Sequence, residues 1–141
     1  MYKLSYTFIL FSFYIWITTA LPTNPEVCNG FRVTSPTQSG LNWTANSCYQ
    51  VSYDMGSNLP GGSQIIVDLY NAQTDTRVGT LTTQNTNTEG ATSPFNLDLG
   101  SAPASGDYYF LVMFANGRNC GPKKTVTFHV NYNPNSPPTQ C

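Results

Sequence analysis

Charge is scarce in this chain. Six Lys and Arg stand against seven Asp and Glu in 141 residues, a formal net charge of -1, so no field of one sign exists to gather nucleic acid or an anionic membrane. Histidine is scarcer still, with His129 alone. No Cys-x-x-Cys or Cys/His spacing accompanies it, so neither a metal site nor a cofactor is expected. The carboxylates Asp54, Asp68, Asp75, Glu89, Asp98 and Asp107 are scattered, and no pair stands out as the acid and nucleophile that glycoside hydrolysis needs. A Ser-His-Asp order, a nucleophile elbow and a phosphate-binding glycine loop are all missing. The chain is therefore read as non-catalytic. Helical periodicity is absent as well, which leaves strands as the only regular structure to build from.

A long apolar run occurs only near the N-terminus, from Phe8 to Ile17, after Lys3 and before Thr18-Thr19-Ala20. It is too short to span a membrane comfortably, and small residues follow it where a signal peptidase would cut. Residues 1–20 are read as a secretory signal. The mature chain is then expected to be secreted, extracellular or in a cell wall, with no membrane span after cleavage.

What is present is period-2 alternation. The most apolar stretch beyond the signal, Gly106 to Phe114, is rich in β-branched and aromatic residues and reads as the central strand, with Tyr108, Phe110, Val112 and Phe114 inward. Before it, Phe31 to Thr34 is a short strand stopped by Ser35-Pro36, and residues 37–47 read as a polar loop. Cys48 to Met55 alternates without a break, placing Tyr49, Val51, Tyr53 and Met55 inward. Gln64 to Tyr70 puts Ile65, Val67 and Leu69 toward the core. An edge strand over Arg77 to Thr82 precedes a polar loop, Thr83 to Thr92. Phe95, Leu97 and Leu99 alternate again, and Thr125 to Val130 closes the sheet. About seven strands of this kind predict an all-β, immunoglobulin or fibronectin type III-like two-sheet sandwich. It covers residues 31–130, after an N-terminal segment at 21–30 and before a polar, Pro-rich tail at 131–141.

All four cysteines lie beyond the signal, and an even number in an oxidising compartment predicts two disulfides. Followed through the sandwich, Cys28 before the first strand and Cys120 after the central one fall at one pole. Cys48, and Cys141 about eleven residues past the last strand, can reach the other. The expected pairs are Cys28–Cys120 and Cys48–Cys141.

Taken together, Phe31 to Thr37, Gly40 to Ser47, the 48–55 strand, Ile65 to Tyr70 and Ser105 to Val112 resemble the N-terminal immunoglobulin-like domain of the fungal Ser/Thr-rich cell-wall family linked to β-glucan synthesis. The resemblance spans most of the mature chain and implies a secreted, wall-associated or extracellular binding and structural module. Cell-wall polysaccharide would be its partner, or an extracellular protein if the role is effector-like. Two features depart from the family: Tyr53 stands where tryptophan is usual, and the tail shows no apolar anchor signal.

Three places could carry function. Asn42-Trp43-Thr44 is a glycosylation sequon in a predicted surface loop; Asn46-Ser47-Cys48 is the rarer cysteine form. Trp43 reads either as a cover for one end of the sandwich or as a sugar-stacking platform. On the outer face of the central sheet, Tyr109, Leu111 and Met113 are expected beside Ile66, Tyr70 and His129. A contiguous apolar surface there would mark a ligand or partner face, unless a loop, the tail or a glycan covers it. His129 is read as a cross-strand neighbour rather than a base.

Overall fold

A computed structural model describes residues 30–56, 63–86, 90–115 and 120–141, apart from the side chains of Ala115 and Cys120. The expected signal, most of the 21–30 segment and Cys28 lie outside these residues, and the expected Cys28–Cys120 pair lies outside them too. Among the described residues there is no helix. The chain forms β1 (Arg32–Ser35), β2 (Asn42–Thr44), β3 (Cys48–Tyr49), β4 (Ser52–Asp54), β5 (Gln64–Asn71), β6 (Thr76–Asn85), β7 (Phe95–Asn96), β8 (Gly106–Ala115), β9 (Cys120–Lys124) and β10 (Phe128–Asn131). These make an immunoglobulin-like sandwich. One sheet is continuous in the order β2-β10-β8-β5-β6, with β9 also on β8, and it packs on the short pairs β1-β4 and β3-β7.

The central strand lies where its composition puts it. Tyr108, Phe110, Val112 and Phe114 of β8 are all buried, as are Ile65, Val67 and Leu69 of β5. The two strands run antiparallel in unbroken register, from Gln64 opposite Ala115 to Asn71 opposite Tyr108. Phe110 is the node of one half of the core, tilted or edge-on to Trp43, Phe95 and Phe128. Phe114 is the node of the other half, edge-on to Phe31 and Tyr53. Tyr108 donates its hydroxyl to the Ala104 carbonyl at 2.8 Å. That is the corner by which a tyrosine early in such a strand ties down the chain that enters it, and burial pushes this phenol's pKa up.

Several expectations need correction. The 37–47 loop contains β2, which pairs parallel with β10, because Trp43 needs the core while its neighbours Asn42 and Thr44 face water. The 77–82 edge strand extends to Thr76–Asn85: threonine suits a solvent-facing pleat as well as it suits a loop. Two bulges in β6 skip Leu81 and Val78 in the pairing with β5, and both side chains pack against the core. The 48–55 strand keeps its phase but breaks into β3 and β4, which pair with β7 and β1 respectively. The last strand begins at Phe128 rather than Thr125, and β9 forms a hairpin arm before it.

The chain crosses from β6 to the small sheet at Gly90. Its φ of +67° favours glycine, and a Cβ there would sit 2.6 Å from the Tyr53 carbonyl oxygen. The tail is fastened to the sandwich. The backbone N–H of Thr139 donates to the Asn46 carbonyl, Asn46 Nδ2 to the Ser136 carbonyl, and Asn96 Nδ2 to the Thr139 carbonyl. The Cys48–Cys141 disulfide closes it with Cα atoms 5.8 Å apart, the pairing that the strand order predicts.

Candidate functional site

Alternation along three neighbouring strands brings polar side chains into one row on the outer face of the large sheet. In β10, Phe128 and Val130 point into the core and His129 points out. In β2, Trp43 points in and Asn42 out. The register sets Asn42 opposite His129, and His129 opposite Asp107 of β8. His129 Nδ1 lies 2.8 Å from Asp107 Oδ1, with the two side chains 43% and 61% exposed. With Nδ1 committed to the carboxylate, Nε2 is the ring nitrogen a ligand would meet.

Two open depressions flank this pair. One, of about 510 Å³, is lined by Ala72, Gln73, Gly106, Asp107, Thr127 and His129. The other, of about 260 Å³, shares Asp107, Thr127 and His129 and reaches Leu41 and Asn42. Together they form a shallow trough running across the strands from the sequon to the β5–β6 turn. Its carboxylate, imidazole, amides and hydroxyl suit hydroxyl-rich ligands. A catalytic relay of the Ser-His-Asp kind buries its aspartate, whereas Asp107 is largely in water. Among the described residues, no group of three or more His, Cys, Asp or Glu could hold a metal ion.

Farther along the same face, part of the expected apolar patch is taken up by a locked network. Tyr109 points outward but is only 4% exposed, which corrects its place in an open binding face. The Tyr70 ring stacks on it at 5.3 Å, and Lys124 Nζ sits 3.7 Å above its centroid. Its hydroxyl donates to Asp75 Oδ1 at 2.5 Å. This hydrogen bond, with burial and the carboxylate's charge, pushes the phenol's pKa up to about 12. Beside it, the buried Asp68 carboxylate accepts two bonds from Arg77 and one from Thr80, and the bond to Asp68 raises the Arg77 pKa. Ile66, Leu111 and Met113 are half-buried, with Ile66 directly opposite Met113.

The other candidates fall elsewhere. Trp43 stacks on Tyr49 at 4.3 Å and lies 4.3 Å from Phe128, so its ring is part of the core rather than a free platform. Asn42 is exposed, on a strand and not in a loop. Sequence reasoning missed Asp107, although it shares the outward phase of Tyr109, Leu111 and Met113; it stood there only as one of several scattered carboxylates. Lys124 belongs to β9 and covers Tyr109. Gln73 comes to the trough through the β5–β6 turn, which no local signal aims. Compared with protein-family models and with curated proteins, the chain shows no significant match.

Proposed function

We propose that the domain is a secreted, non-catalytic module of the fungal cell wall or extracellular space that holds a neutral polysaccharide in the Asp107–His129 trough. The observation that carries this reading is the open row of polar groups, with the half-buried Tyr70 ring nearby on the same face. A shallow, unenclosed trough suits a polymer lying along a surface, whereas a small ligand is held in an enclosing pocket. The near-zero net charge suits a neutral glycan. The resemblance to the fungal Ser/Thr-rich wall family points the same way, and the Cys48–Cys141 disulfide suits an oxidising compartment.

A second reading, an effector-like protein-interaction domain, draws on the half-buried trio Ile66, Leu111 and Met113. Co-sedimentation of the unglycosylated mature domain with insoluble fungal glucans and with chitin separates the two. Asp107→Ala, which removes a charge-assisted hydrogen bond, and Tyr70→Ser, which removes an aromatic stacking face, each shown to fold, are each expected to weaken polysaccharide binding about tenfold. A folded parent that stays in the supernatant with every polymer would sink the wall reading in favour of a protein partner.

A further inference from the structure

We propose that Asn42 carries an N-linked glycan that lies over the His129–Asp107 trough, so that glycosylation regulates access to it; the regulatory part rests on the polysaccharide reading above. The chain contains two sequons, and the fold treats them oppositely. Asn46 donates its amide to the Ser136 carbonyl beneath the tail, and Cys48, the third residue of its sequon, is spent in the disulfide. Asn42 is exposed, and its side chain makes no hydrogen bond with the described residues. Its hydroxyl partner Thr44 is exposed on the same side of β2, while Trp43 between them is held in the core. β2 is also an end strand of its sheet, which leaves room for a large substituent.

The register makes the glycan consequential. Asn42 is directly opposite His129 in the β2–β10 pair, and neighbouring strands are about 4.8 Å apart. Asn42, His129 and Asp107 line the same 260 Å³ depression, so the first sugar attached to Asn42 meets the carboxylate and the imidazole. In the transfer, Asn42 Nδ2 bonds to the anomeric carbon of an oligosaccharide. That carbon's bond to the pyrophosphate of a polyprenyl-linked donor breaks, the pyrophosphate leaves with the electron pair, and the amide loses one proton.

The test uses the untagged chain secreted from a glycosylating host. Intact mass is expected to show a glycan on the parent and on Thr44→Ser, and none on Asn42→Gln or Thr44→Ala. An unmodified parent, from a host that glycosylates a control protein, overturns the proposal. His129 is the only histidine, so its acylation by diethyl pyrocarbonate reads the trough directly. A glycan seated over the ring about nine-tenths of the time slows acylation about tenfold relative to Asn42→Gln, because only the open fraction reacts. Equal acylation rates overturn the shielding, and equal co-sedimentation of the two forms with glucan overturns the regulation. If neither form sediments, the polysaccharide reading fails together with the regulation of it, and the acylation rate still decides whether the glycan covers the trough.

Discussion

The two sheets of the sandwich hold themselves together in different ways. The large sheet is a ladder: β5 and β8 stay in register over their shared length. The small sheet is in pieces, with β3 on β7, β4 on β1, and a single bridge from Ser52 to Ala91. Yet both use one repair where a strand is interrupted. In the small sheet the N–H of Thr92 donates to the Val51 carbonyl, and the Val51 N–H donates back to Thr92 Oγ1. In the large sheet Thr125 does the same with Phe110. All four residues are buried, where an unpaired N–H would cost about 1–3 kcal/mol. A threonine hydroxyl thus replaces the carbonyl that a regular ladder would supply. What differs is the remaining support: the small sheet leans on the tail and its disulfide, and the large sheet on its own backbone.

The largest expected effect comes from breaking that external support. Replacing Cys48 and Cys141 together by serine should cost about 2–4 kcal/mol in chemical denaturation. The loss should also be local. Asn46 and Leu97 exchange backbone bonds with the Leu97 and Ser47 carbonyls, and these amides should gain hydrogen exchange well before those of β5 and β8. Faster exchange spread evenly over both sheets would mean that the tail braces the whole sandwich and that the contrast is false.

Next in size is the shared repair. Thr92→Val and Thr125→Val keep the shape of the side chain but remove the acceptor, and each should destabilise by about 1–3 kcal/mol, whereas the serine variants, which keep the hydroxyl, should recover most of that loss. Matching costs in the two sheets would show that the device works independently of its surroundings. A valine variant no less stable than its serine counterpart would mean that something other than the hydroxyl serves that N–H.

How much of this was legible depended on whether a signal was local. The phase of each buried strand was readable, since Phe110, Ile65 and Val51 face the core by simple alternation. The Cys48–Cys141 pair followed from strand direction alone. The breaks at Val51 and before Phe128 were not readable, because a threonine that replaces a ladder carbonyl looks like any other polar strand residue. β2 was hidden because its parallel partner lies far along the chain. The outer face was misjudged at Tyr109 for the same reason: the residues that close over it, Asp75 and Lys124, come from a turn and a hairpin arm whose directions only the assembled sheet decides.

The smallest effect sharpens the contrast between the locked part of the outer face and the open trough. The folded protein holds the Tyr109 phenol protonated up to about pH 12, whereas an unfolded tyrosine ionises near about 10. The raised value means that this contribution to stability is complete below pH 10 and is lost as pH rises through about 12. Rapid pH-jump absorbance should therefore find Tyr109 ionising late. Tyr108 is also raised, but by burial, so the two must be separated by a variant. Asp75→Asn is suited to this, because Asp75 has a φ of +55° and asparagine tolerates that backbone as well as aspartate does. It should return the Tyr109 step toward its ordinary range and leave that of Tyr108 in place. If the late step survives Asp75→Asn, burial beneath Tyr70, and not the carboxylate, keeps the phenol neutral, and the lock is one of packing rather than of charge.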